Sequence, residues 1–383
     1  MIKKRKICIV SSSRADYNHL FLLMKSLKSS KDINFKLIIT GMHLLKKYGN
    51  TYQEILKDGF KIDGFIKNKQ PSNLNNNTLS IMSDQLGNAG VVLDKINPDI
   101  IIVLGDRYDI LPTVIACHIK GIPVAHFHGG EVTHGAIDDA IRHSITKFSD
   151  IHFVANIDFK RRIKQLGENP KNIYNIGSLG VLAINSTKKI KKVEILKKLK
   201  INGNYMLVAI HPETINDDNN LIIKALFKVL SEQKNHHVVF TCPNSDPGNE
   251  KIIKNIQNFL KLYPTRSTFI TSAGREVFIN LVRHAELLIG NSSSCVIEAP
   301  AVGTKSVLIG KRQDGRPLAA TISKADICYT SINNKVSRIF KEKHSVSQKN
   351  KLSYKAVDSL PKILKILSTI PLDKIKLKKF YDQ

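Results

Sequence analysis

The stretch 98-PDIIIVLGDRYD-109 decides the fold. Ile100 to Leu104 are apolar without alternation. A strand written that way is buried on both faces, as strands of parallel sheets are. Pro98 and Asp99 punctuate its start, and Gly105 ends it. Directly after the glycine come Asp106, Arg107 and Asp109. A core strand that turns charged at its carboxyl end predicts a loop that carries chemistry, since open parallel sheets bind ligands there.

The same grammar repeats outward from this point. Upstream, 7-ICIV-10 runs into Ser11–Asp16, after which Leu20, Leu23, Met24 and Leu27 recur at helical spacing. A second strand is 35-FKLIIT-40, followed by a polar loop over 67–77 and a helix over 78–96. Downstream, a helix over 109–120 stops at Gly121. The strand 122-IPVAHF-127 follows, then 128-HGGEVTHGA-136, a helix to 148 and the strand 151-IHFVA-155. The alternation then starts afresh with 205-YMLVAI-210, 236-HHVVFTC-242, 267-STFIT-271, 286-ELLIG-290 and 305-KSVLIG-310. A basic polar stretch over 185–204 lies between the two series.

Strands alternating with helices predict an α/β fold with parallel sheets. The reading is two Rossmann-like doubly wound domains, 1–177 and 178–383, with the helical segment 355–369 free to pack back on the first. Six polar clusters fall directly after strands: Ser11–Asp16, Gly105–Asp109, His126–Glu131, His211–Thr214, Gly290–Ser294 and Gly310–Arg316. They converge if the two domains face each other across a cleft.

Composition narrows the class. The chain has 383 residues, of which 42% are apolar and 24% charged, ordinary values for a globular protein. No apolar run approaches the ~18 residues of a membrane span. The amino-terminal apolar stretch is only Ile7–Val10, too short for a secretion signal, so a cytoplasmic protein is expected. Cys8, Cys117, Cys242, Cys295 and Cys328 are scattered, odd in number and form no C-x-x-C, which disfavours disulfides and structural zinc and predicts mostly small core residues. The 59 Lys and Arg against 32 Asp and Glu give +27. The lysines are not interleaved with aromatics and fit no nucleic-acid module. Compositional drift with a solvated surface, or a small anionic substrate, accounts for them better than a nucleic-acid or membrane partner.

Each motif offers a chemistry. In 289-IGNSSSCVIEAP-300, Asn291 or Ser292 can cap a helix start, and Ser292, Ser293 and Ser294 add donors suited to phosphate. Glu298, further in, could bind a ribose hydroxyl pair. Arg312 and Arg316 in 310-GKRQDGRP-317 present forks that match phosphate oxygens. Asp106 is expected to face the cleft as an acid, to cap a helix or to do both, and Arg107 and Asp109 can pair. In 126-HFHGGEVTHGAIDDAIRHSITK-147, strand alternation puts His126 and His128 on one side. Asp138 and Arg142, four apart, share a helix face, and His143 follows. His126, His128, Glu131 and His134 resemble a metal-ligand list, but the spacing matches neither H-E-x-x-H nor another zinc pattern, so carboxylate acid/base chemistry is expected rather than a metal. There is no G-x-x-x-x-G-K-[ST], G-x-G-x-x-G or G-x-S-x-G, which disfavours a P-loop nucleotidase, a dinucleotide oxidoreductase and a serine hydrolase.

In order along the chain stand S-S-R-A-D-Y, L-G-D-R-Y-D, H-x-H-G-G-E, D-D-A-I-R-H-S-I-T-K, H-P-E-T, G-N-S-S-S-x-x-x-E and R-Q-x-G-R. Together, over about residues 5–320, they resemble the UDP-N-acetylglucosamine 2-epimerase family, in its hydrolysing branch of bacterial sialic and legionaminic acid synthesis. The resemblance implies a glycosyltransferase-B-like fold and a reaction with no cofactor. UDP is eliminated across C1–C2 to give a 2-acetamidoglucal, and water then adds to give the 2-epimer. By motif position it implies Asp106, Glu131, Asp138 and His211 as catalytic residues. Arg14, His128, Ser292, Ser293, Ser294, Arg312 and Arg316 would hold the nucleotide sugar, Arg142 and His143 would support the carboxylates, and Glu298 would bind the ribose. Some relatives carry Glu where this chain has His128, which leaves Glu131 as the nearby acid, with a part for His128 in proton transfer as the alternative. The alternative substrate, after UDP-N-acetylglucosamine, is a UDP- or GDP-linked 2,4-diacetamido-2,4,6-trideoxyglucose, and a retaining glycosyltransferase is the rival of the same architecture. A homodimer or homotetramer is implied.

Overall fold

The structure is a computed structural model that describes residues 4–67, 77–134, 136–213, 219–244, 246, 248–342, 353–376 and 378–382. Most of the polar loop read over 67–77, and Thr214, lie outside the described residues. Two compact units emerge. The first comprises Met1–Glu131, Asp138–Ala183 and Lys355–Gln383, and the second Val132–Ile137 and Ile184–Tyr354. The chain thus passes to the second unit at Ile184, where the sequence placed the change at 178, and the helix Leu360–Thr369 belongs to the first unit.

The first unit is built on seven strands: β1 (Arg5–Ser11), β2 (Ile33–Ile39), β3 (Gly64–Phe65), β4 (Ile100–Leu104), β5 (Val124–Phe127), β6 (Ile151–Val154) and β7 (Ile173–Asn175). Their order across the sheet is β3-β2-β1-β4-β5-β6-β7, every pairing parallel. The run that anchors the sequence reading, β4, is buried at all five positions. Its two faces feed different cores. Ile100 and Ile102 pack with Leu20, Leu23, Met24 and Leu27 of the helix Arg14–Ser29, and Ile101 and Val103 pack with Leu93, Val114 and Cys117. Each fully buried Ile or Leu contributes roughly 1.5–3 kcal/mol, which is why such runs outweigh the modest strand propensity of single residues.

The second unit carries β8 (Tyr205–Ala209), β9 (His237–Thr241), β10 (Ser267–Ile270), β11 (Leu287–Gly290), β12 (Ser306–Ile309) and β13 (Ile322–Ala325), in the order β10-β9-β8-β11-β12-β13, again all parallel. Both units are doubly wound α/β sheets, as expected. In each, strand order reverses once, between β1 and β4 and between β8 and β11. A crevice opens at such a reversal beyond the carboxyl ends of the strands. The topology therefore brings Ser11–Asp16 beside Gly105–Asp109 in one unit, and His211–Glu213 beside Gly290–Ser294 in the other. No helix among the described residues is long and apolar enough to cross a membrane. Of the five cysteines, all but Cys328 are buried.

Candidate active site

In the first unit the site is organised by one guanidinium. Arg142 projects inward from the helix Asp138–Phe148 and is 1% exposed. Its Nη1 donates to the backbone carbonyl of Glu131 at 2.9 Å and to Asp139 Oδ1 at 3.2 Å, and its Nη2 donates to Asp106 Oδ2. A buried guanidinium is tolerated only when its donors are used and its charge is answered. Two carboxylates and a carbonyl do both here. Asp106 arrives from β4 through Gly105, and Glu131 arrives from β5, so Arg142 ties together the acids of two adjacent strand ends.

The sequence linked Arg142 to Asp138, four positions back. Arg142 Nη1 also donates to Asp139, three back, an equally good helical spacing. Asp139 also faces His143, whose Nε2 lies 3.6 Å from Asp139 Oδ2. Burial lowers the His143 pKa, against the pull of Asp139. Asp138 begins the same helix and is half-buried. Asp106 is no helix cap, because the next helix starts only at Leu111. Arg107 forms the expected pair, holding Asp109 with Nε and Nη2 at 3.0 Å each. Arg14 is the first residue of its helix and half-buried, and Ser13 caps that helix in a box with Asp16.

The two histidines do not share a side. β5 ends at Phe127, and His128 adopts φ +63°, so the alternation that would align it with His126 is broken. His126 is fully buried, with Nε2 on the carbonyl oxygen of Gly105 at 2.7 Å and Nδ1 3.2 Å from Thr146 Oγ1. Burial lowers its pKa to about 3, so it stays neutral and serves as a structural brace. His128 is different. Its Nδ1 lies 2.9 Å from Glu131 Oε1, and both side chains are almost wholly buried. Its Nε2 is buried with no hydrogen-bond partner. The turn between the pair is tight: Gly130 has φ +76°, and a Cβ there would stand 2.4 Å from the Phe159 carbonyl oxygen.

In the second unit, Asn291 is the organiser, and the sequence read it only as a cap. Its Oδ1 accepts from His211 N at 2.7 Å and its Nδ2 donates to the His211 carbonyl at 2.8 Å, which fuses the ends of β8 and β11. The close approach requires glycine before it. Gly290 has φ +147°, and a Cβ there would lie 2.0 Å from the Ala209 carbonyl oxygen. His211 Nδ1 accepts from Asn244 N at 3.0 Å, which leaves the ring proton on Nε2. Ser292 does cap, accepting from Ser294 N at 3.2 Å.

What Ser292 caps differs from the expectation. It heads a single 3-10 turn, Ser293–Cys295, followed by a short helix, Glu298–Val302. A long helix dipole aimed at phosphate is therefore absent from this loop, and its hydroxyls and N–H groups are what it can offer an anion. Glu298 opens the short helix and is buried. Arg312 is buried, with Nη2 3.5 Å from Asp246 Oδ2. The adjacent Gln313 donates to the Asn291 carbonyl at 3.1 Å, docking the arginine loop onto the serine loop. Arg316 lies half-buried at the loop's far end. The segment Val132–Ile137 also packs in this unit, with His134 N donating to the Asp314 carbonyl at 3.0 Å.

Sequence reasoning missed Asp139, Asn244, Asp246 and Gln313. Asp139 and Gln313 lay inside quoted motifs, but Asn244 and Asp246 carry no motif signal at all.

Chemically, the first unit gathers carboxylates and an imidazole around a buried cation, the composition of an acid/base site. The second offers hydroxyls, an imidazole N–H and two guanidinium forks, the composition of an anion site.

The family model described as UDP-N-acetylglucosamine 2-epimerase matches residues 25–368. A Campylobacter jejuni protein named GDP/UDP-N,N'-diacetylbacillosamine 2-epimerase (hydrolyzing) is 35% identical over 333 residues, 85% of each chain. The polysialic acid biosynthesis protein P7 of Escherichia coli is 34% identical over 383 residues, covering 99% of this chain and 97% of that one. Among solved structures, the Methanocaldococcus jannaschii UDP-GlcNAc 2-epimerase in complex with UDP-GlcNAc and UDP superposes with a TM-score of 0.77 at 19% identity. The match covers 95% of this chain and 99% of that one.

Proposed function

The chain belongs to the UDP-N-acetylglucosamine 2-epimerase family, and from that premise we propose that it is a hydrolysing 2-epimerase in the cytoplasm. It converts UDP-N-acetylglucosamine and water to UDP and N-acetylmannosamine. The observation that carries the reading is Arg142, which binds Asp106, Asp139 and the Glu131 backbone at once.

The reaction dictates the residue types. As the C1–O bond stretches, C1 gains oxocarbenium character and the C2–H bond becomes acidic enough for a placed side chain to remove the proton. The polar cluster around Asp106, His128, Glu131 and Asp138 carries the acid/base work of this step and of the return of a proton to the opposite face of C2. The departing diphosphate accumulates charge, which Arg312, Arg316, the serine loop and the His211 Nε2–H stabilise. Water then adds at C1 of the glucal. Arg14 binds the nucleotide sugar, and Glu298 binds the ribose.

A second reading keeps the reaction and changes the sugar. The Campylobacter jejuni relative and a Legionella pneumophila relative, 32% identical over 337 residues, are both named for diacetylbacillosamine. A UDP- or GDP-linked 2,4-diacetamido-2,4,6-trideoxyglucose is therefore the substrate to set beside UDP-N-acetylglucosamine.

Proton NMR on a panel of these nucleotide sugars tests both. Release of free nucleotide and a manno-configured free sugar is expected from one of them. Accumulation of an intact nucleotide-linked 2-epimer would overturn the hydrolytic assignment. Nucleotide release only with an added acceptor, with C2 unchanged, would point to a glycosyltransferase.

A further inference from the structure

We propose that the group taking the C2 proton is not a carboxylate but His128 Nε2, with Glu131 as its positioning partner. The inference rests on the 2-epimerase reading and assigns one step within it.

Three observations carry it. First, His128 Nδ1 is 2.9 Å from Glu131 Oε1. A carboxylate is acceptor-only, so Nδ1 carries a proton and Nε2 is the nitrogen whose lone pair can take one. Second, that Nε2 is buried and has no hydrogen-bond partner. A buried polar atom left unsatisfied costs about 1–3 kcal/mol, and such orphans are accounted for by a ligand, a water or a catalytic task. Third, the pair is pinned at the backbone. His128 N donates to the Phe153 carbonyl at 2.9 Å, Arg162 Nη1 donates to the Gly130 carbonyl, and Arg142 Nη1 donates to the Glu131 carbonyl at 2.9 Å. His128 itself is held at φ +63°, which costs a non-glycine residue free energy and is kept where surrounding contacts over-determine it.

The contrast with His126 sharpens the assignment. Two residues away, that ring has both nitrogens engaged and a pKa near 3, and it has no lone pair to offer. Of the two, His128 alone combines an oriented tautomer with an open nitrogen.

The step balances without a further reactant. Nε2 takes the C2 proton, the C–H electron pair becomes the C1–C2 double bond, and the C1–O bond breaks with its electrons leaving on the diphosphate. The ring becomes an imidazolium whose Nδ1–H remains on the Glu131 carboxylate, which stabilises the new charge. Because the product is inverted at C2, the returning proton comes from a different group on the other face, and the imidazolium releases its proton to solvent. Glu131 thereby acts through His128 rather than on the substrate.

Two variants suit the left-handed backbone at this position, His128→Gly and His128→Asn. With UDP-N-acetylglucosamine, or the diacetamido sugar if that proves to be the substrate, both are expected to lose at least about 100-fold in kcat while UDP binding by calorimetry changes less than about threefold. Added imidazole is expected to restore His128→Gly by at least about tenfold, because it fills the space with a free base. Glu131→Gln is expected to lower kcat with little change in KM and to gain nothing from imidazole. Wild-type rates in His128→Asn overturn the proposal. So does a His128→Gly that binds UDP yet stays inactive with imidazole. If the wild-type protein itself releases no UDP from any sugar in the panel, it is the proposed function that falls, and these variants are not at issue.

Discussion

Arg142 and Asp106 are bound to each other although 36 positions separate them in the sequence. The guanidinium sits on a helix and the carboxylate at the end of β4. Their ion pair fixes the distance between the two elements. It also sets the task each residue can perform. Arg142 is sealed from solvent, with 1% of its side chain exposed, while Asp106 keeps 23%. The arginine is a scaffold, and the aspartate is the member that can reach a substrate.

Asp106→Asn is therefore expected to reduce kcat by about 100-fold or more and to leave UDP affinity within about threefold. The amide keeps the shape and loses both the charge and the proton-accepting oxygen. Turnover measured by UDP release, beside calorimetry with UDP, checks this. Near-normal turnover removes Asp106 from the reacting groups.

Arg142→Met should act differently. It leaves the Asp106 and Asp139 carboxylates without their buried cation, which is expected to cost on the order of 3 kcal/mol of stability. The midpoint of urea denaturation reports it, together with loss of activity in the fraction that folds. Arg142→Lys restores the charge but cannot serve three acceptors at once in the same geometry, so an intermediate midpoint is expected.

Arg312→Ala is expected to weaken UDP binding by at least about tenfold. Calorimetric titration with UDP measures the effect. Unchanged UDP affinity would exclude Arg312 from the diphosphate grip.

Gly290→Ala should fail for a steric reason. The added carbon would meet the Ala209 carbonyl oxygen at 2.0 Å on a backbone that side chains rarely adopt. A loss of at least about 2 kcal/mol is expected, read as a lower melting temperature. The same change at Gly105, where an added Cβ would meet nothing within 4 Å, tests backbone conformation alone and should cost less.

Acid stability follows from one buried carboxylate. Burial pushes the Glu168 pKa up, but His152, Lys378 and Lys147 around it pull it down further, to about 2 from an ordinary 4.5. A depressed carboxylate stabilises the fold above its unfolded value and loses that contribution as pH falls through the folded one. On the order of 3 kcal/mol should therefore disappear between about pH 4.5 and 2. Glu168→Gln is expected to be less stable at neutral pH and to show a flatter stability profile across that window. Denaturant titrations at a series of pH values check both.

Much of this was legible in the chain, and the parts that were not share physical causes. The long apolar runs Ile100–Leu104 and Tyr205–Ala209 announced themselves because both faces of those strands are buried. β3 has only two residues, and β13 alternates half-buried Ile322 and Ser323 with exposed Lys324, so neither leaves a hydrophobic signature. Asp106, Glu131, Arg142 and Arg312 stood out because charged residues directly after core strands, or within a dense polar motif, are unusual. The role of Asn291 in clamping His211 was invisible, since that contact spans 80 positions. The difference between His126 and His128 was equally hidden, because it hangs on a single backbone angle at which the strand ends.

The first unit is assembled from three separate pieces of chain, and its core includes Ile363, Leu367, Ile370 and Ile375. Beyond them, Lys378 reaches Glu168, and Tyr381 N donates to the Gly167 carbonyl at 2.9 Å. On the ribosome, then, the unit whose synthesis starts first is completed last. It must wait, with apolar surface uncovered, while the whole of the other unit is translated. Nascent chains stalled before residue 355 should engage chaperones through the early segment, and cutting the gene at the midpoint cannot yield a self-sufficient amino-terminal half.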